Sequence, residues 1–179
     1  VSKDVDNNYL SISDADGVHL ENVTLPTGDE DSLIYDDVLK FSHATNCSFV
    51  GGTVYGGREN CIDMNRECEN VLIEDTLLIG GATASVVIKG GSRNCTLSEV
   101  LITPGGGRWD IELGGHSDQS RKRTVNTRLF HVRRTDGRPV RVVVGRADKP
   151  EIRGGYVEVL FWESLALKLF VFFRGLFSK

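Results

Sequence analysis

The chain has 179 residues, 40% of them hydrophobic and 26% charged, with a net charge of −4. That length fits one domain, and the composition is ordinary for a soluble protein with no transmembrane span. Overall acidity, with little aromatic interleaving among the arginines, argues against a nucleic-acid partner.

Residues 1–17 read as a polar lead-in. The chain starts at Val1 with no signal-like apolar segment, which reads as a fragment or a processed product. Residues 1–8 are too polar to cover a core, so an upstream domain or another protomer is expected at that end. Asp14-Ala15-Asp16-Gly17, with Glu21 beyond, has the beginning of a calcium loop but the wrong spacing for an EF-hand. An Asp-Gly turn is the simpler reading, calcium the alternative, and no other metal or cofactor is expected.

From residue 18 the chain repeats. Asn22, Asn46, Asn70 and Asn94 stand 24 residues apart, each followed three places later by Leu25, Phe49, Ile73 or Leu97. Alternating apolar pairs precede the later asparagines (Leu39 and Phe41, Ile62 and Met64, Val86 and Ile88) and predict strands with one face inward. A second short run ends at Val54, Leu78 and Ile102, and the glycine doublets Gly56-Gly57, Gly80-Gly81 and Gly105-Gly106 turn the chain.

Beyond Ile111 and Leu113 a polar insertion runs through Arg123. Val125 and Phe130 resume the pattern, and Val142, Val144, Ile152 and Val157 close it. About six coils result, the first (10–25) irregular. Units this short cannot bury their own apolar faces, so they must stack into a solenoid. Leucine-rich repeats share the period, but these units lack the dense leucine pattern and any helical stretch, and favour Val, Ile, Thr and Gly.

The Asn-x-x-apolar spacing, the alternating strands and the Gly-Gly turns make residues 18–159 resemble the right-handed parallel β-helix of the pectate-lyase-like superfamily. The resemblance implies an all-β solenoid about 30 Å long at strand spacing. It specifies no chemistry, since that fold serves lyases, hydrolases, epimerases, tailspikes and adhesins. Lyases of the superfamily use calcium-bridging aspartates with an arginine base; neither their local motifs nor the hydrolases' paired aspartates occur here. A non-catalytic carbohydrate-binding or structural module is therefore the first reading, in a cell-surface or phage-tail-like assembly. A polysaccharide lyase or glycoside hydrolase on acidic polysaccharide is the alternative. The expected setting is extracellular, cell-surface or virion rather than cytoplasmic.

Stacked Asn amides are expected to hydrogen-bond from coil to coil and to face the core. Asn22, Asn46 and Asn94 also fit the Asn-x-Ser/Thr glycosylation pattern, which a core-facing position excludes. Cys47 and Cys95 share a column two coils apart, about 10 Å, too far for a disulfide. Cys61 and Cys68 flank one strand and turn, and free thiols are the simplest reading of all four.

Charge divides along the axis: residues 1–37 hold ten carboxylates against Lys3, and residues 121–154 hold eleven Lys or Arg against Asp136, Asp148 and Glu151. An arginine-rich end suits carboxylate or phosphate ligands, acidic glycans being one candidate. If Leu39, Ile62, Val86, Ile111 and Val142 point inward, the outward middle column is Lys40, Asp63, Val87, Glu112 and Val143, flanked by Cys61, Ser85, Asp110 and Arg141 on one side and Ser42, Asn65, Lys89 and Gly114 on the other. Asp63, Asp110 and Glu112 are the candidate acid and base groups. Lys40, Lys89, Trp109, His116, Arg121 and Arg141 are the candidate ligand contacts, His116 and Arg121 lying in the insertion. For the charged pairs the competing reading is cross-strand ion pairing, Lys40 with Asp63 and Asp110 with Arg141. For Trp109 it is packing in the core or turn.

Residues 160–179 turn abruptly apolar. Phe161, Leu165, Leu169, Phe172, Phe173 and Leu176 recur near helical spacing, interrupted by Glu163, Lys168 and Arg174. Three readings compete: an amphipathic helix capping the last coil, a homo-oligomerisation segment, or an interfacial membrane anchor.

Overall fold

A computed structural model describes residues 7–26, 35–115 and 122–161, and the backbone of 171–174. Each coil contributes short strands in turn. The first supplies β1 (Leu10–Ser13), β2 (His19–Glu21) and β3 (Thr24–Leu25); the second β4 (Asp37–Ser42), β5 (Ser48–Val50) and β6 (Thr53–Tyr55); the third β7 (Asn60–Asn65), β8 (Leu72–Glu74) and β9 (Leu77–Gly80). The fourth supplies β10 (Ala84–Ile88), β11 (Thr96–Ser98) and β12 (Leu101–Pro104), and the fifth β13 (Ile111–Leu113), β14 (Arg128–Phe130) and β15 (Arg133–Arg134). The last described strands are β16 (Val140–Val144), β17 (Glu151–Arg153), β18 (Tyr156–Phe161) and β19 (Val171–Arg174).

These strands build three sheets in the orders β1-β4-β7-β10-β13-β16-β18-β19, β2-β5-β8-β11-β14-β17 and β3-β6-β9-β12-β15. All pairs but the last are parallel and run coil to coil, an all-β arrangement consistent with a parallel β-helix. No helix among the described residues is long and apolar enough to cross a membrane.

The inward residues form one continuous core. Leu39, Ile62, Val86, Ile111 and Val142 stack on the first sheet, Phe49, Ile73, Leu97 and Leu129 on the second, and Leu25, Val54, Leu78 and Ile102 on the third, all buried. Each such side chain contributes about 1.5–3 kcal/mol by leaving water. The third sheet's inward column ends on Arg134, the partner of Ile102, because the next coil passes from β16 through β17 to β18 with no third-sheet strand to cover it.

The asparagines lie where the chain turns, not in the core. Gly17, Asn46, Asn70, Asn94 and Asn126 take left-handed φ, between 52° and 73°, at the corner between the first and second sheets. Asn tolerates this region because its short amide meets little steric conflict there. Asn70 Nδ2 donates to Asn46 Oδ1 (2.9 Å), Asn94 Nδ2 to Asn70 Oδ1 (3.2 Å), Asn126 Nδ2 to Asn94 Oδ1 (2.6 Å), and Asn46 Nδ2 to Asp16 Oδ1 (2.9 Å). The coil-to-coil amide chain therefore exists, but on the surface: Asn46 and Asn70 are exposed and Asn94 half-buried. Core-facing burial, the ground for setting aside the sequons, does not hold.

Asn22 does not belong to this column. Leu20 pairs with Phe49, 29 residues on, whereas Phe49 pairs with Ile73 and Ile73 with Leu97 at 24. The long connection between β3 and β4 shifts the first coil by five residues, so its equivalent of Asn46 is Gly17. Asn22 sits instead at the corner between the second and third sheets, in a second left-handed column with Gly51, Asp75, Glu99, His131 and Gly154. Its amide lies over Gly51, where an added Cβ would come within 2.5 Å of Asn22 Oδ1.

The expected C-terminal helix is not what the described backbone shows. Val171–Arg174 is a strand, antiparallel to β18 with Tyr156 opposite Arg174 and Val159 opposite Val171. Parallel stacking leaves β18 an open edge of unpaired amides and carbonyls, and a Val-Phe-Phe run suits pairing there better than a helical turn. β18 itself runs to Phe161. Residues 162–170 and 175–179 lie outside the described residues.

Candidate functional site

Backbone pairing puts Lys40, Asp63, Val87, Glu112 and Val143 on successive strands in one column, with Asp63 and Glu112 two strand steps apart, about 10 Å. These side chains are nevertheless buried: Asp63 is 1% exposed and Lys40 and Glu112 7%. The Gly115 backbone accounts for part of this, since a Cβ there would lie 2.9 Å from Glu112 Oε1 and 3.3 Å from Lys89 Cδ.

Asp63 is the centre of a polar cluster. Lys40 Nζ lies 3.7 Å from Asp63 Oδ2 and 3.6 Å from Asp37 Oδ2, and Lys89 Nζ lies 3.4 Å from Asp63 Oδ1. Asn65 Nδ2 donates to Asp63 Oδ2 at 2.7 Å, and Asn60 Nδ2 to Asp37 Oδ1 at 2.8 Å. Burial pushes the Asp63 carboxyl up to about 6 against the pull of Lys89, with Asp37 adding to the rise and Lys40 opposing it.

Asp110, expected as an acid or base, is clamped between coils. Arg134 Nη1 donates to its Oδ2 (3.0 Å) and Oδ1 (3.3 Å), the Arg141 backbone N–H donates to Oδ2 (2.7 Å), and Arg141 Nε lies 3.7 Å from Oδ2. Arg134 in turn holds Asp136 with two hydrogen bonds, Nε to Oδ1 (3.0 Å) and Nη2 to Oδ2 (2.7 Å). That fork, helped by the Arg138 backbone N–H and the charges of Arg134 and Arg138, lowers the Asp136 carboxyl to about 2. Both anticipated cross-strand pairs, Lys40 with Asp63 and Asp110 with Arg141, are present.

The other candidates scatter. Lys89 joins the Asp63 cluster; Trp109 is half-buried in the turn after Gly107, with the Arg108 guanidinium 4.9 Å from its ring centroid. His116 and Arg121 lie outside the described residues. Asp14 faces His43 Nδ1 at 3.5 Å and Asp16 ends the amide chain, so the calcium-like segment serves as a corner of the coil. All four thiols are free and buried, and burial pushes Cys61 and Cys95 up to about 12 and Cys68 to about 11.

Among the described residues, two open grooves lie at corners of the coil. One, of about 320 Å³, runs along Asp75, Glu99, Leu101, His131 and Arg133. The other, of about 440 Å³ where the third sheet meets the first, is bounded by Arg134, Asp136, Arg138, Arg141 and Glu158. Only Arg141 of this group was anticipated as a ligand contact. The available signal was Thr135-Asp136-Gly137-Arg138-Pro139, a turn sequence carrying an arginine at its tip.

Exposed arginines elsewhere are tied across coils, Arg93 to Glu69, Arg133 to Glu99, Arg123 to Asp148 and Arg128 to Glu151, contacts worth little individually. No family model, curated protein or solved structure matches the chain.

Proposed function

We propose that this chain is a non-catalytic binding or structural module of the pectate-lyase-like β-helix type, in a cell-surface or phage-tail-like assembly that meets acidic polysaccharide. The observation that carries this reading is the state of the candidate acids. Asp110 has its oxygens taken by Arg134 and Arg141, and Asp63 is closed in by Lys40, Lys89 and Asn65 at 1% exposure. A carboxyl held in this way ties coils together; a general acid must reach the bond it cleaves. A groove with guanidinium groups at one corner supplies anion recognition without cleavage chemistry.

A polysaccharide lyase or hydrolase is the second reading, favoured by the raised Asp63 carboxyl in a cluster with two lysines. Incubation with a panel of uronate-containing glycans separates the two. The module reading expects neither unsaturated products in the ultraviolet nor new reducing ends. Release that disappears in Asp63→Asn or Glu112→Gln overturns it.

A further inference from the structure

We propose that the groove between the third and first sheets is a subsite for a carboxylated sugar unit, held by Arg138 and Arg141; this rests on the polysaccharide reading above and places the contact away from the buried face of the first sheet. The groove's volume, about 440 Å³, falls within the range of small-ligand clefts, about 300–1,000 Å³.

Its guanidinium groups divide into scaffold and contact. Arg134, with its side chain 6% exposed, spends its donors on Asp110 and Asp136 and fixes both walls. Arg141 is anchored at one end only: Nη2 donates to the Gly107 carbonyl at 3.1 Å and Nε faces Asp110, while no hydrogen bond from Nη1 occurs among the described residues. The Arg138 side chain is 79% exposed; among the described residues its guanidinium has an ion-pair partner in Asp136 alone, at 4.0 Å, and its backbone N–H donates to Asp136 Oδ1. Two cations with spare donors thus flank one groove, one pre-positioned and one able to close on a ligand.

The remaining wall selects the kind of anion. Glu158 is the cross-strand partner of Arg141 and also lines the groove, an acceptor that a ligand bearing hydroxyl groups can use and a phosphate or sulfate dianion cannot. A uronate fits both features: its carboxylate pairs with guanidinium, and its hydroxyls donate to Glu158. Pro104, Gly105 and Pro139 complete the wall without side-chain donors, leaving room for a sugar ring.

The test is equilibrium binding of the full chain to a uronate oligosaccharide and to a neutral oligosaccharide of the same linkage, for wild type, Arg138→Ala and Arg93→Ala. Arg93 is an exposed, ion-paired arginine away from the groove and controls for general charge. Wild type is expected to prefer the uronate, Arg138→Ala to lose about 10- to 100-fold in affinity for it, as one charge-assisted hydrogen bond implies, and Arg93→Ala to match wild type. Uronate binding that survives Arg138→Ala overturns the groove while leaving the polysaccharide reading intact. Absence of uronate binding by wild type overturns both.

Discussion

Replacing Asn70 separates the two things the surface amide chain does. Asn70 donates to Asn46 and accepts from Asn94, at 2.9 and 3.2 Å, and it holds φ at 54°. Asn70→Ala removes two hydrogen bonds whose partners can turn to water, about 0.5–1.5 kcal/mol each with the lower end expected at an exposed site. It also forces a Cβ-bearing residue without a compensating amide into the left-handed region, about 1–2 kcal/mol. The sum is about 2–4 kcal/mol. Asn70→Gly loses the same bonds but not the backbone preference, so about 1–2 kcal/mol is expected. Urea denaturation followed by circular dichroism, with the slope checked for constancy, gives both values. Equal losses for Ala and Gly would refute the left-handed assignment, and a loss below about 0.5 kcal/mol for both would refute the amide chain.

Other perturbations probe the core, the clamp and the buried cluster. Gly56→Ala puts a Cβ 2.0 Å from the Gly81 backbone nitrogen, so a loss above about 2 kcal/mol is expected; Gly106→Ala enters open space and should stay within about 0.5 kcal/mol, and thermal melts of the two variants compare them. Arg134→Met leaves the buried Asp110 carboxylate short of its main partner and should cost about 3–5 kcal/mol in a denaturant titration; a loss under about 1 kcal/mol would mean the clamp is idle. Asp63 carries a folded-state pKa raised to about 6, above its unfolded value near 4, so the native state binds more protons between them. Its contribution to stability should therefore fall as pH rises from about 4 to 6. Asp63→Asn should remove that slope in urea midpoints taken across the window, and an unchanged slope would contradict the assignment.

How much the sequence revealed depended on whether a local pattern was also a spatial one. The strand alternation at Ile62 and Met64 or Val86 and Ile88 is fixed by the pleat, and these residues, with Leu39 and Phe41, are buried. Past the insertion the reading slips, because Leu129 holds the inward column while Val125, Phe130 and Ile152 are half-buried. The 24-residue spacing was reliable from Asn46 to Asn94, where loops are constant, and misleading at Asn22, where a five-residue offset between coils happened to leave another Asn at the same interval. Asn126 joins the chain 32 residues after Asn94, across the insertion, and no fixed period finds it. The outward column was correct in register, but its burial was invisible, because alternation says which way Asp63 points and nothing of what lies over it. Arg134 was hidden for the opposite reason: it occupies an inward position whose covering strand is missing from the next coil, which only the topology shows.

The reading of the chain as a binding module is tested most directly by calorimetric titration of the wild-type protein with an oligouronate of defined length, with the sugar recovered afterwards and weighed by mass spectrometry. The account predicts saturable binding that weakens as salt rises, because guanidinium pairing is screened, and an oligosaccharide recovered at its original mass. Absence of binding, or recovery of shortened chains, would contradict it.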